Sequence, residues 1–290
     1  MVTRVFLFLA TNLSVIVVLS IFSWVFGIDE MMGGSTMGLL VMAAVIGFAG
    51  SFISLAMSKS MAKRGMGVQV IDNPSNERES WLVRTVERQA REAGIGMPEV
   101  GIFPSPQPNA FATGMNRNNS LVAVSAGLLE GMTQDEVEAV LGHEVSHVAN
   151  GDMVTMGLLQ GVLNTFVIFF SRIIGRIVDQ AVFKNSRGYG PGYFIVSMIA
   201  QVVLGVLASI IAAWFSRKRE FRADEGGARL SSRDKMAGAL RRLQNAHNPE
   251  DLPGQLAAFG ISGGVGGGLR KLMMSHPPLE ERIAALMEMQ

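Results

Sequence analysis

The sequence predicts a mainly α-helical integral membrane protein, with four apolar helices and an α+β domain assembled from the segments around the second helical pair. Three observations carry this expectation. The 290 residues are 49% hydrophobic and only 17% charged, whereas about a quarter of the residues in an ordinary soluble domain are charged. The mean hydropathy is +0.32. Four runs contain no charge, Val5 to Ile28, Met31 to Ser58, Met153 to Ser171 and Gly188 to Ser216, and about 20 apolar residues suffice to cross a bilayer as a helix. Between and after these runs lie polar blocks that carry their own helix and strand signals.

The elements follow in chain order. The first run has Arg4 in front of it, but it is too long for a signal peptide and has no small-x-small cleavage site, so it reads as a retained anchor. Gly27 to Thr36 has no basic residue, while Lys59, Lys63 and Arg64 follow the second run. The positive-inside rule therefore places the N-terminus and the segment after Lys59 in the cytoplasm. Arg172, Arg176, Lys184 and Arg187 between the third and fourth runs fit either a full crossing with snorkelling side chains or a shallow hairpin. The expected organisation is a membrane hairpin over 1–58, a cytoplasmic part over 59–152, a second apolar hairpin over 153–216 and a second cytoplasmic part over 217–290. Small-residue stripes within the runs (Ala43, Gly47 and Ser51; Gly157 and Gly161) suit helix contacts. Gln160 and Asn164 should face protein or water rather than lipid.

In the first polar block, Asn73-Pro74-Ser75 marks a turn. Leu82, Val83, Val86, Ala90 and Ala93 then recur at helical spacing up to Gly94. Short β-like runs follow at Glu99 to Phe103, Asn109 to Thr113 and Ser120 to Ser125. Thr133 with Glu136 forms a capping box, Val137, Leu141, Val145 and Val148 form an apolar stripe, and Asn150-Gly151 supplies a stop, so a helix is predicted between them. After the fourth run, Arg217 to Leu230 reads as a helix leaving the membrane, Ser232 to Gln244 as another, and Leu279 to Met289 as a last short one. Gly260 to Gly268 reads as a linker, since its glycines do not match a dinucleotide fingerprint.

The chemistry lies on the capped helix. With no cysteine and four histidines, a thiolate site is excluded. The net charge of +1 without a basic tract argues against nucleic acid as a partner. His143-Glu144-Val145-Ser146-His147 is H-E-x-x-H. Residues i and i+4 share a helix face, so two imidazole nitrogens can converge on one Zn²⁺. Glu144 is then placed to take a proton from the water that the metal activates, which is the equipment of peptide hydrolysis. A third protein ligand is needed. The downstream carboxylates, His247 and His276 are candidates. Glu220 and Asp224 stand one helical turn apart in EFRAD, one able to bind metal and the other to accept a histidine N–H. On spacing alone that pair reads equally well as a solvated face.

With two N-terminal anchors, HEVSHVANGD, two further apolar segments, EFRADEGGA and the terminal SHPPLEERI, the chain resembles the HtpX family of bacterial heat-shock membrane zinc metalloproteases, relatives of the Ste-type CAAX prenyl proteases. The resemblance implies a zincin-like protease domain with one Zn²⁺ per chain. It implies His143, His147 and Glu220 as ligands, Glu144 as catalytic base and Asp224 as the carboxylate behind a ligand histidine. It implies that Asn109, Ala110, Phe111 and Ala112 belong to an edge strand that binds extended substrate, although a plain surface strand fits the residues too. His276 and Arg282 are implied as stabilisers of the oxyanion, with His276 before Pro277-Pro278 equally readable as a helix-start residue. It further implies an ATP-independent endopeptidase of the bacterial inner membrane, its site facing the cytoplasm. Misfolded membrane proteins would be its substrates, in one stress pathway with the ATP-dependent membrane protease FtsH. A narrow processing protease and a membrane scaffold with structural zinc are the alternatives. A structural zinc site usually has four protein ligands, and only three can be named here.

Overall fold

The computed structural model describes residues 36–184, 190–246 and 274–289, with Ile21 and Val25 as isolated helical positions. The anchor expected over Val5 to Ile28 lies outside the described residues apart from those two positions. His247 and the glycine-rich linker lie outside them as well. The chain divides into two compact units, one of residues 1–54 and 156–212 and the other of 55–155 and 213–290.

Among the described residues, three helices are long and apolar enough to cross a membrane: α1 (Thr36–Gly65), α5 (Asp152–Ala181) and α6 (Pro191–Leu230). Thirty residues rise about 45 Å at 1.5 Å each, more than the roughly 30 Å of hydrocarbon. The first unit contains the apolar part of each. Its buried centre is Leu40 and Ala43 of α1 with Phe169 and Ile173 of α5. The small-residue stripe of α1 faces α5 as expected, for a Cβ on Gly47 would lie 2.6 Å from Thr165 Oγ1 and one on Gly161 would lie 2.8 Å from Phe48. Gln160 and Asn164 hydrogen-bond each other at 2.9 Å. Asp179 accepts from the backbone N–H groups of Gly190 and Tyr193, both at 3.1 Å, at the start of α6.

The second unit holds α2 (Glu77–Glu92), α3 (Ala126–Gly131), α4 (Gln134–Asn150), α7 (Arg233–Ala246) and α8 (Leu279–Glu288), with β1 (Gln69–Val70), β2 (Glu99–Phe103), β3 (Ala110–Asn116) and β4 (Asn119–Ser125). The strands form one sheet in the order β1-β2-β4-β3. β2 and β4 are parallel, and the other pairings are antiparallel. Alternation along β3 serves two faces. Ala110 and Ala112 join the large core that contains the α4 stripe, while Phe111 packs on the opposite face with Phe103 and Leu121. That opposite face is covered by Ala62 and Met66, from the end of α1 and just beyond it, and Lys59 and Lys63 pair with Glu99 of β2.

Helix α4 forms where its signals place it. Thr133 accepts from Glu136 N–H while the Glu136 carboxylate accepts from Thr133 N–H at 2.8 Å, and Gly151 ends the helix in the left-handed region at φ 72. Val137, Leu141, Val145 and Val148 are all buried. They pack with Leu82 and Val86 of α2, Met236 and Leu240 of α7 and Leu286 of α8. A helix anchored along so many faces is a rigid base for the groups it carries.

Candidate metal centre

His143, Glu144 and His147 project from α4, Glu220 and Asp224 from α6, and Arg282 from α8, with His276 shortly before it. All lie in the second unit. The two helices that carry most of them approach very closely because the contact has no room for side chains. A Cβ on Gly226 would lie 2.3 Å from Ser146 Oγ, and one on Gly227 would lie 3.0 Å from the His143 backbone nitrogen. From the other side, a Cβ on Gly142 would lie 3.2 Å from the Gly227 carbonyl oxygen. This glycine contact delivers Glu220 to the histidines. Arg217, earlier on α6, donates to the Met274 carbonyl at 2.7 Å and so ties down the segment that carries His276.

Three donor atoms converge. His143 Nε2 and His147 Nε2 are 3.1 Å apart, with Glu220 oxygens at 3.5 and 3.4 Å from them respectively. Two donors at the zinc–nitrogen distance of 2.0–2.1 Å in a tetrahedron stand about 3.3 Å apart, so the group has the right size for such an ion. Its chemistry agrees. His143 Nδ1 faces Asp224 Oδ1 at 2.9 Å and His147 Nδ1 faces Asp152 Oδ2 at 2.6 Å. A carboxylate partner puts the ring proton on Nδ1 and leaves the lone pair on Nε2. Two lone pairs 3.1 Å apart beside a carboxylate require a cation between them. Glu220 Oε2, buried and without a well-aligned hydrogen bond, points the same way. His143, His147 and Glu220 thus fit a metal ion.

The histidines' basicity has the same origin. Burial disfavours the charge on His147, but the bonds to Asp152 and Glu220 and the field of Glu144 outweigh it and raise the group to about 10. Burial likewise opposes charge on His143, and Asp224 and Glu220 raise it nonetheless.

The remaining groups fall into place around this centre. Glu144 is 4% exposed, and among the described residues none hydrogen-bonds its carboxylate. His276 Nδ1 lies 2.9 Å from Glu220 Oε2, and its side chain is 18% exposed. Arg282 stands behind Asp224. It is 0% exposed, and its Nε and Nη2 donate to the two Asp224 oxygens at 2.7 and 2.5 Å. A guanidinium enclosed in this way holds Asp224, and its Nη1 lies 3.5 Å from Glu220 Oε2. β3 is an edge strand that pairs only with β4 among the described strands, and its Ala110 and Ala112 lie on the face that packs with α4. Asp152, buried at 3% and 2.6 Å from His147 Nδ1, is a neighbour of the centre that sequence reading missed.

Together the three long apolar helices among the described residues, the H-E-x-x-H helix and the carboxylate that completes the ligand group define a metalloprotease with membrane-spanning character. Comparison with known proteins makes this specific. Residues 76–290 match peptidase family M48, and the chain belongs to that family. It is 63% identical to a protein called Protease HtpX from Thioalkalivibrio sulfidiphilus, over 99% of each chain. It is 61% identical to a Protease HtpX homolog from Thiobacillus denitrificans, again over 99% of each. Among solved structures, the crystal structure of S. mikatae Ste24p shares the fold with a TM-score of 0.63 at 18% identity, covering 99% of this chain and 67% of that one.

Proposed function

We propose that this metalloprotease is a zinc-dependent, ATP-independent endopeptidase of the bacterial inner membrane that cuts damaged membrane proteins on the cytoplasmic side. The observation that supports it most is the pair of His Nε2 atoms 3.1 Å apart beside Glu220, with Glu144 buried next to them and unpartnered among the described residues. His143, His147 and Glu220 hold the metal. When bound, zinc would supply Lewis acidity that lowers the pKa of a water to about 7, so that a hydroxide nucleophile is available near neutral pH.

The chain's own residues do the rest. Glu144 accepts the proton of the attacking water and passes it to the leaving nitrogen, as general acid–base groups do. Asp224, itself held by Arg282, keeps His143 in one tautomer. His276 stands at the partly open side and offers charge stabilisation to the carbonyl oxygen. Residues 109–112 at the sheet edge take an extended segment by main-chain pairing, which reads conformation rather than side chains and so gives broad specificity. A broad, unfolded-chain preference suits a protease that removes damaged proteins.

Placement follows from the sequence. Four apolar helices, the first of them over Val5 to Ile28, make a 1–58 hairpin and a 153–216 hairpin, with the protease parts at 59–152 and 217–290. Lys59, Lys63 and Arg64 at one end and Arg217, Lys218, Arg219 and Arg222 at the other put both parts in the cytoplasm. His147 comes six positions before Met153, where the third run begins, and Glu220 four after Ser216, where the fourth ends, so segments emerging from the bilayer are within reach. A shared pathway with FtsH would supply the extraction that a protease without ATP cannot drive.

The test is cleavage of an unfolded protein by the detergent-purified chain after chelation and stepwise return of zinc, cobalt or manganese. Loss on chelation and recovery with zinc is the expected outcome. Cleavage indifferent to chelation contradicts it.

A further inference from the structure

We propose that Asp152 is a positioning residue of the metal centre, fixing the tautomer and ring orientation of His147 as Asp224 does for His143. The inference rests on the reading of His143, His147 and Glu220 as metal ligands, and it starts from a turn. Gly151 ends α4 with φ 72 and ψ 33, and α5 begins at the next residue. Gly151 alone separates the two helices. The left-handed turn therefore folds the first side chain of α5 back onto the last turn of α4, where Asp152 Oδ2 meets His147 Nδ1 at 2.6 Å.

An acid at a helix start is commonly there for the helix dipole, and an exposed carboxylate serves that purpose. Asp152 is different because it is 3% exposed. A buried carboxylate is costly unless a donor answers it, and among the described residues His147 is the only side chain that does. The bond has a direction. The carboxylate accepts, so Nδ1 carries the hydrogen and Nε2 keeps its lone pair towards His143 Nε2 and Glu220 Oε1. Each ligand histidine is thereby backed by its own carboxylate, one from α5 and one from α6. Such partners orient ligand rings and raise their donor strength, and losing one weakens metal binding about 10–100-fold.

The experiment uses the full chain in detergent, as parent, Asp152→Asn and Asp152→Ser. Both replacements are good helix-start residues, so the beginning of α5 is retained while the charge is removed. Cobalt affinity is read by competition with a chelator, and the visible spectrum of the cobalt form reports ligand geometry. The expected result is a 10–100-fold weaker affinity with an altered spectrum in Asp152→Asn. Asp152→Ser should be at least as weak, and it carries the test alone if the Asn variant does not fold. Affinity and spectrum equal to the parent, with only a lower melting temperature of the metal-free protein, would show that Asp152 merely starts a helix, and would overturn the inference. A parent that binds no cobalt removes the ligand assignment itself, a failure distinguishable from the first because it appears before any variant is compared.

Discussion

The two histidines of the centre look alike on α4, yet the surroundings behind them are built in opposite ways. Behind His143 stands a chain of long-range partners: Asp224 from α6, then Arg282 from α8, wholly buried and bonded twice to Asp224. Behind His147 stands one local partner, Asp152, five residues along and reached through a single glycine turn. The first flank exists only when three distant segments have come together. The second comes with the chain's local geometry. One flank therefore makes the site depend on the fold, and the other makes it depend on the junction between two helices.

The largest expected effect tests the first flank. Replacing Arg282 with Met leaves Asp224 as a buried charge with its main partner gone, which costs about 3–5 kcal/mol. Denaturation of the metal-free protein measures it, and a loss below about 1 kcal/mol would mean that the pair behaves like a surface contact. Asp224→Asn sharpens the contrast. It should weaken metal binding by about 10–100-fold, as expected for Asp152→Asn. It should also destabilise the metal-free protein more than Asp152→Asn does, because it strands a buried guanidinium. Equal destabilisation by the two would erase the distinction between the flanks.

The helix contact that joins the flanks comes next. A Cβ at Gly226 must displace Ser146, whose Oγ would be 2.3 Å away, so Gly226→Ala should cost about 1–3 kcal/mol as overpacking does. Gly238→Ala on α7 meets nothing within 4 Å and should be neutral or slightly stabilising. A further test concerns pH. In the metal-free protein His147 is raised to about 10 from an ordinary value near 6.5. The stability this contributes is complete below about pH 6.5 and is lost as pH rises towards 10. Metal competes with that proton, so affinity should tighten over the same window, by up to roughly tenfold between pH 7 and 8. A pH-independent affinity would show that no proton is displaced.

The same contrast explains what could be read from the chain. The capping box at Thr133, the stop at Gly151 and the α4 stripe are local signals and appear in the structure where they were expected. β2 matches its expected limits for the same reason. Glu220 is another matter. Its spacing from Asp224 fits a solvated face as well as a metal site, and only the approach of α6 to α4 through Gly142, Gly226 and Gly227 distinguishes them. Residue pattern does not encode which helix a glycine pair will face. The parallel pairing of β2 with β4 and the two-residue β1 were likewise not readable, since pairing is tertiary and two residues show no period. Arg282 could be named but not placed, because a guanidinium in a charge-rich helix start gives no hint of 0% exposure. Asp152 was legible in principle. An acid directly after a left-handed glycine stop folds back onto the preceding turn, but it also looks like an ordinary helix-start acid, and that reading hid it.

The central claim is that this centre cleaves peptide bonds with Glu144 moving the proton. The measurement that tests it most directly is proteolysis of an unfolded protein by purified parent and Glu144→Gln, with metal content determined in both. Glutamine keeps the shape and cannot accept the proton. The account predicts metal bound equally in both, with cleavage in the variant lower by about 10²–10⁴-fold. Cleavage within tenfold of the parent at equal metal content would contradict it.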